Sequence, residues 1–135
     1  MCGGELMSEP VKVEKVLMVD DDANIRLITE MSLEGLTEWK VRQAGSGKEA
    51  LGMVREERPD LILLDVMMPD MDGVTLFEEI KGIYEHNTPI VIFMTAKVLT
   101  QEVEMYREKG AAGVITKPFD PMTLPDQIYE ILGSA

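Results

Sequence analysis

Val16-Leu17-Met18-Val19-Asp20-Asp21-Asp22 and Leu61-Ile62-Leu63-Leu64-Asp65 decide the fold of this 135-residue chain. Each is an unbroken apolar run that ends abruptly on acid. Two further runs behave alike: Ile90-Val91-Ile92-Phe93-Met94 stops at Thr95, and Ala112-Gly113-Val114-Ile115-Thr116 leads into Lys117-Pro118. Uninterrupted apolar runs of this length suit strands covered on both faces, as in a parallel sheet. Parallel strands all point one way, so their ends collect at a single carboxyl edge. That edge is where open α/β sheets bind ligands. The runs therefore predict an acidic crevice with a hydroxyl and an ammonium beside it.

Between the runs the pattern turns helical. Ile25, Ile28, Met31 and Leu36 fall near helical spacing after the first strand, with Asp22 as N-cap. Trp39 to Ala44 alternates its side chains like a half-exposed edge strand. Ser46-Gly47-Lys48-Glu49 has the form of a capping box and precedes Ala50, Leu51, Met53 and Val54. Pro59 stops that helix, and Asp60 leads into the next strand. Asp72-Gly73 turns the chain into a helix bearing Val74, Phe77, Ile80 and Tyr84. Residues 98–109 form another helix, closed by Gly110. The last carries Leu124, Ile128, Ile131 and Leu132, with Thr123 as N-cap and Asp126 as its box-like partner.

Strict alternation of strands and helices predicts an α/β fold: a flavodoxin-like, doubly wound (βα)5 sandwich with a parallel five-stranded sheet. Its expected strand order is 2-1-3-4-5, with the switch point between strands one and three. Those two strands end in Asp20-Asp21 and Asp65. Residues 1–13 have no period and read as a mobile N-terminal leader; residues 14–135 read as one domain.

The formal net charge of −12 disfavours direct contact with nucleic acid phosphates or an anionic membrane. Cys2 is the single cysteine, which excludes an internal disulfide and fits a reducing compartment. No apolar run approaches the ~18–20 residues of a membrane span, and the N-terminus lacks a signal-peptide core. The expected location is cytoplasmic. His86, the single histidine, reads as a surface residue, and Trp39 and Tyr106 read as packing residues.

Several carboxylates in one crevice repel one another unless a cation joins them. Mg²⁺ suits an all-oxygen site of one or two carboxylates, waters and a phosphate. Lys117 and Thr95 beside such a metal would suit an anion between them, which makes a phosphoryl site. A central carboxylate there can act as nucleophile and form an acyl phosphate.

Val19-Asp20-Asp21, Leu64-Asp65-Val66-Met67-Met68-Pro69 with Met71-Asp72-Gly73, Met94-Thr95-Ala96 and Lys117-Pro118-Phe119 resemble the motifs of CheY-like receiver domains of bacterial two-component response regulators. The resemblance runs from about residue 14 to the C-terminus, with the motifs in family order. It implies a phosphorelay receiver that takes a phosphoryl group on Asp65 from a sensor histidine kinase or a histidine phosphotransfer protein. Asp20, Asp21, Asp65 and the backbone carbonyl of Met67 would then hold Mg²⁺. Thr95 would be the switch hydroxyl, and Lys117 would pair with Asp65 or the phosphoryl oxygens. Asp22 keeps a capping role. The Lys117-Pro118 bond would be cis. Such a chain is a signalling phosphoacceptor and not a turnover enzyme. Its output is a change in protein contacts, made either as a free-standing receiver or as part of a larger regulator.

Val114 departs from the family, which commonly carries an aromatic or histidine at that place. The side chains of Met67 and Lys97 should flank the path of a hydrolytic water, and neither orients one, so the acyl phosphate should be long-lived. Two rivals use related folds. A haloacid-dehalogenase-type phosphatase would want an Asp where Met67 stands. A flavodoxin-like carrier would want a Ser/Thr/Gly phosphate loop where Asp20, Asp21 and Asp22 stand.

Overall fold

The computed structural model describes residues 12–96 and 99–134. Strands and helices alternate as β1 Lys15–Val19, α1 Ala23–Leu36, β2 Lys40–Ala44, α2 Gly47–Glu56, β3 Leu61–Asp65, α3 Gly73–Tyr84, β4 Ile90–Thr95, α4 Thr100–Glu108, β5 Gly113–Thr116 and α5 Leu124–Ser134. The sheet is parallel in the predicted order, β2-β1-β3-β4-β5.

The apolar runs of β1, β3 and β4 are buried on both faces, the β5 run only in part, and alternate residues feed two cores. Leu17, Val19, Ile62, Leu64 and Phe93 pack with Ala50, Val54, Leu76, Phe77, Ile80 and Tyr106 of α2, α3 and α4. Val16, Met18, Leu61, Leu63, Ile92 and Met94 pack with Leu33, Leu124 and Ile128 of α1 and α5. Val13, counted above with the leader, is buried in the second core, so packing begins ahead of the sequence boundary. Residues 1–11 of the leader lie outside the described residues.

Capping follows the sequence closely. Asp22 Oδ1 accepts from the Asn24 and Ile25 amides, Ser46 Oγ from Glu49, and Asp72 Oδ1 from Thr75. Gly110 adopts φ 111° after α4. Its amide donates to Arg107 O, and the next amide, Ala111, donates to Tyr106 O. That pair of bonds is a Schellman motif, which needs a residue free to take positive φ. Val98 of the expected helix lies outside the described residues. At α5 the Thr123 carbonyl takes the Gln127 amide, as an N-cap should. Its hydroxyl accepts from Gln127 Nε2 and faces the Asp120 carbonyl, so the expected pairing with Asp126 gives way to these contacts.

The expected face of α1 is corrected. Ile28, Met31 and Leu36 are exposed, Met31 at 65%, while Thr29, Ser32 and Leu33 are buried and Ile25 packs against the core. The buried stripe keeps helical spacing but includes hydroxyls. Thr29 Oγ1 donates to Ile25 O at 2.7 Å, and Ser32 Oγ donates to Pro121 O. Satisfied in this way, both side chains can face inward at little cost. The corrected face implies that Leu33→Ala destabilises by about 2–4 kcal/mol, whereas Met31→Ala stays within about 0.5 kcal/mol of wild type. Urea unfolding of the two variants checks this; a larger loss at Met31 would refute the assignment.

Candidate functional site

Strands β1 and β3 deliver their acids to the carboxyl edge. The Asp20 amide donates to Ala44 O at 3.1 Å, which extends the β1–β2 ladder by one residue and holds Asp20 in the protein. Its backbone carbonyl takes Arg26 Nη1 at 2.7 Å, and its Oδ1 takes the Asp22 amide at 2.9 Å. Asp21, next in the chain, is exposed. Asp65 ends β3 and is 3% exposed. The Val66 amide bonds to Met94 O, and the Gly73 amide closes the following loop onto Val66 O at 2.8 Å. A Cβ on Gly73 would lie 2.4 Å from the Asp65 carbonyl oxygen, so only glycine lets α3 start this close to the strand end.

Lys117 comes from the far side of the edge. Its amide donates to Thr95 O at 2.8 Å, and its peptide bond to Pro118 is cis, as the resemblance implies. Its Nζ reaches Asp20 Oδ2 at 3.0 Å and Asp65 Oδ1 at 3.1 Å. Thr95 ends β4, half-buried, one residue beyond the register partner of Asp65. Met67 follows Asp65 by two and is 76% exposed. Its amide donates to Asp65 Oδ1 at 3.3 Å. Among the described residues, both bonds to the Asp65 carboxylate thus land on Oδ1. Lys97 lies outside the described residues. The other singled-out residues sit elsewhere: His86 is exposed beyond α3, Trp39 packs on Tyr129, and Tyr106 packs on Phe93.

Asp20, Asp21 and Asp65 each offer an oxygen within 4.8 Å of the others'. When ionised, three carboxylates and the Lys117 ammonium leave a formal charge of about −2, which suits a divalent ion. The donors are all hard oxygens, as Mg²⁺ requires. Burial is the largest cause acting on Asp65 and pushes its pKa up; the Asp20 charge adds to it, and Lys117 pulls it back, leaving it at about 6. Burial opposes the charge on Lys117, but its bonds to Asp20 and Asp65 outweigh this and hold its pKa above the usual lysine range.

Two supports of the site were not read from the sequence. Arg26 holds the Asp20 carbonyl, and Asp70, in the loop after β3, caps α2 through the Gly47 and Lys48 amides. Asp70 finds its partners across more than twenty residues, so no local spacing announces it.

A family model described as "Response regulator receiver domain" matches residues 16–129. The DNA-binding response regulator MtrA of Mycobacterium tuberculosis is 39% identical over 111 residues, 82% of this chain and 47% of that protein. The probable transcriptional regulator ycf27 of Porphyra purpurea is 37% identical over 122 residues, 90% of this chain and 49% of that one. The chain thus spans about half the length of these curated relatives. Among solved structures, the chemotaxis response regulator CheY4 of Vibrio cholerae superposes with a TM-score of 0.81 at 29% identity, covering 90% of this chain and all of its own.

The raised pKa of Asp65 fixes a sign for stability. Without metal, the folded chain retains a proton that the unfolded chain releases near its ordinary pKa of about 3.9. This contribution is fully present below that value and is lost as pH rises through about 6. In a chelator-treated sample, Asp65→Asn should therefore stabilise the fold at pH 8 by on the order of 2 kcal/mol. The gap to wild type should close as pH falls toward about 4. Urea unfolding across this range is the measurement, and an Asn variant less stable than wild type at pH 8 would contradict it.

Proposed function

The chain belongs to the response regulator receiver domain family, and from that membership we propose that it takes a phosphoryl group on Asp65, with Mg²⁺ bound, and uses it to switch protein contacts. The donor is a phosphohistidine of a histidine kinase or a histidine phosphotransfer protein. The observation that carries this reading is the meeting of the Asp20, Asp21 and Asp65 oxygens within 4.8 Å, with Lys117 Nζ bonded to two of those carboxylates.

The chemistry follows from the donors at Asp65. Oδ1 is engaged by the Met67 amide and Lys117, so Oδ2 is the attacking oxygen. It forms a bond to phosphorus as the P–N bond to the donor imidazole breaks. The electron pair of that bond stays on the imidazole nitrogen, and Asp65 becomes an acyl phosphate. Lys117 exchanges a carboxylate oxygen for a phosphoryl oxygen, and the Thr95 hydroxyl donates to another. Held by Asp20, Asp21, an Asp65 oxygen and the Met67 carbonyl, Mg²⁺ would supply a further positive charge to the phosphoryl oxygens. The Asp-nucleophile phosphatase reading has no acid/base group where it needs one, because Met67 stands there.

A donor must bring its imidazole to the crevice and so must touch the surface around it. Helix α1 leaves the crevice directly after Asp22, and its exposed Leu27, Ile28 and Met31 lie on that route. Pro121 and Met122, shortly after Lys117, line the same apolar surface with Ile28 and Met31. This apolar skirt supports a protein donor and would be wasted on a small molecule alone.

Acetyl phosphate with Mg²⁺ should add one phosphoryl mass to wild type and none to Asp65→Asn. Asp21→Asn should slow the reaction and weaken Mg²⁺ binding, because it removes a charged oxygen. Asp22→Asn should do little, since asparagine caps a helix as well as aspartate. Phosphorylation of the Asp65 variant, or equal losses at Asp21 and Asp22, would overturn the assignment.

The lifetime of the acyl phosphate gives a second test. The exposed Met67 side chain offers no group to orient a water toward phosphorus. After the donor is removed, Met67→Asn should lose the phosphoryl group faster than wild type, followed by intact-mass decay. An unchanged or slower decay would show that Met67 does not govern water access.

A further inference from the structure

The loop 66–72, which carries Met67, is fastened at its base and at its tip. At the base, Gly73 N bonds to Val66 O, and the start of α3 lies against Asp65. Inside, Met68 is buried in the first core. At the tip, Asp70 Oδ1 accepts from the Gly47 amide and Oδ2 from the Lys48 amide, both at 3.1 Å. The same two amides, largest among its influences, hold the Asp70 carboxyl below the usual aspartate range. Met71 adds contact: a Cβ on Gly47 would lie 2.9 Å from Met71 Cβ.

Helix α2 is a firm anchor for this tip. Ala50, Leu51 and Val54 are buried in the first core. Its own N-cap serves only the third amide, since Ser46 Oγ takes Glu49 N. The first two amides, Gly47 and Lys48, go to a carboxylate from another part of the chain. A helix has its own means of filling these positions, including water. Taking them up with a loop side chain ties the loop to the helix, and the cap is shared between two elements.

We propose that Asp70 is a positioning residue for the metal site: by clamping the tip of loop 66–72 to the first two amides of α2, it fixes where the Met67 carbonyl stands relative to Asp21 and Asp65. This rests on the reading of Met67 as a backbone ligand given above. Mg²⁺ demands near-ideal octahedral geometry, so a displaced ligand weakens it more than a displaced solvent contact would. Outer partners of this kind govern affinity without touching the ion.

The test separates the clamp from the cap. Ser46→Ala removes an acceptor from the same helix end and leaves the loop alone. Asp70→Ala removes the cap and the tether together, and Asp70→Asn retains one acceptor oxygen. Hydrogen exchange at the Gly47 and Lys48 amides in metal-free protein reports the clamp, and Mg²⁺ titration of the full chain, followed by backbone amide shifts, reports the site. Asp70→Ala should expose both amides and weaken Mg²⁺ by about 10-fold, with Asp70→Asn between it and wild type. Ser46→Ala should bind Mg²⁺ within about two-fold of wild type, because the loop remains tethered. If Ser46→Ala weakens Mg²⁺ as much as Asp70→Ala, helix fraying explains the effect and the proposal fails. If Asp70→Ala binds Mg²⁺ like wild type, it fails while the metal reading stands. A wild-type chain that binds no Mg²⁺ overturns the metal reading and this role with it.

Discussion

Lys117 Nζ sits between two buried carboxylates, 3.0 Å from one and 3.1 Å from the other, and the carboxyl edge is organised around that contact. Asp20 and Asp65 end adjacent strands, so the β1–β3 ladder brings them together whether or not their charges agree. Repulsion between them is opposed by one ammonium alone among the described ion pairs. Burial first, and this repulsion after it, raise the pKa of Asp65. The sheet can hold this arrangement because the cost falls on a few residues at its rim, while Leu17, Ile62 and Leu64 below them are fully buried. A site with surplus negative charge fixed by the backbone is prepared for a cation before any ligand arrives.

The same edge collects the starts of the helices, and this explains much of its acidity. In a right-handed βα unit, each helix begins where a strand has ended. Its first amides carry the positive end of the helix dipole, and carboxylates are at home there. Asp22 occupies α1, Asp72 occupies α3, and Asp70 with Ser46 occupies α2. These acids are therefore consumed by backbone donors. Asp20, Asp21 and Asp65 stand among them and bring their oxygens together at the crevice. Chemistry at this edge depends on telling capping carboxylates from those that face the crevice.

The sequence separates them well where the partners are local. Asp22 and Asp72 reveal themselves by standing just before helical patterns, and Asp20 and Asp65 by ending apolar runs. The parallel sheet was legible because unbroken runs mark strands buried on both faces, and its order followed from right-handed crossovers and the usual topology of doubly wound sheets. Two features were hidden. The inner face of α1 carries Thr29 and Ser32, whose hydroxyls bond to Ile25 O and Pro121 O. A hydrophobicity pattern scores them as polar and shifts the helix toward Ile28 and Met31. Asp70 was hidden because its partners, Gly47 and Lys48, come from a different βα unit. Side-chain bonds across units leave no period in the sequence.

The departure at Val114 acquires a physical meaning in this packing. Val114 pairs in register with Phe93, two residues before Thr95, and both join the core beneath α3 and α4. Phe93 is flanked by the Phe77 ring at 5.7 Å and the Tyr106 ring at 4.7 Å. The aromatic bulk beside the end of β4 thus comes from α3 and α4, and β5 contributes only a valine. Residues 93 and 95 share a face of the strand, so a shift of Thr95 toward a phosphoryl group would pull on a strand whose large ring is wedged against α4. Tyr106 is fixed in that helix and 4% exposed, so it cannot swing freely as a ring on a strand end could. Close packing turns such a displacement into movement of the helix that carries the ring. The seating of α4 on Phe93, through the Tyr106 ring, is therefore the packing that such a shift of Thr95 would have to disturb.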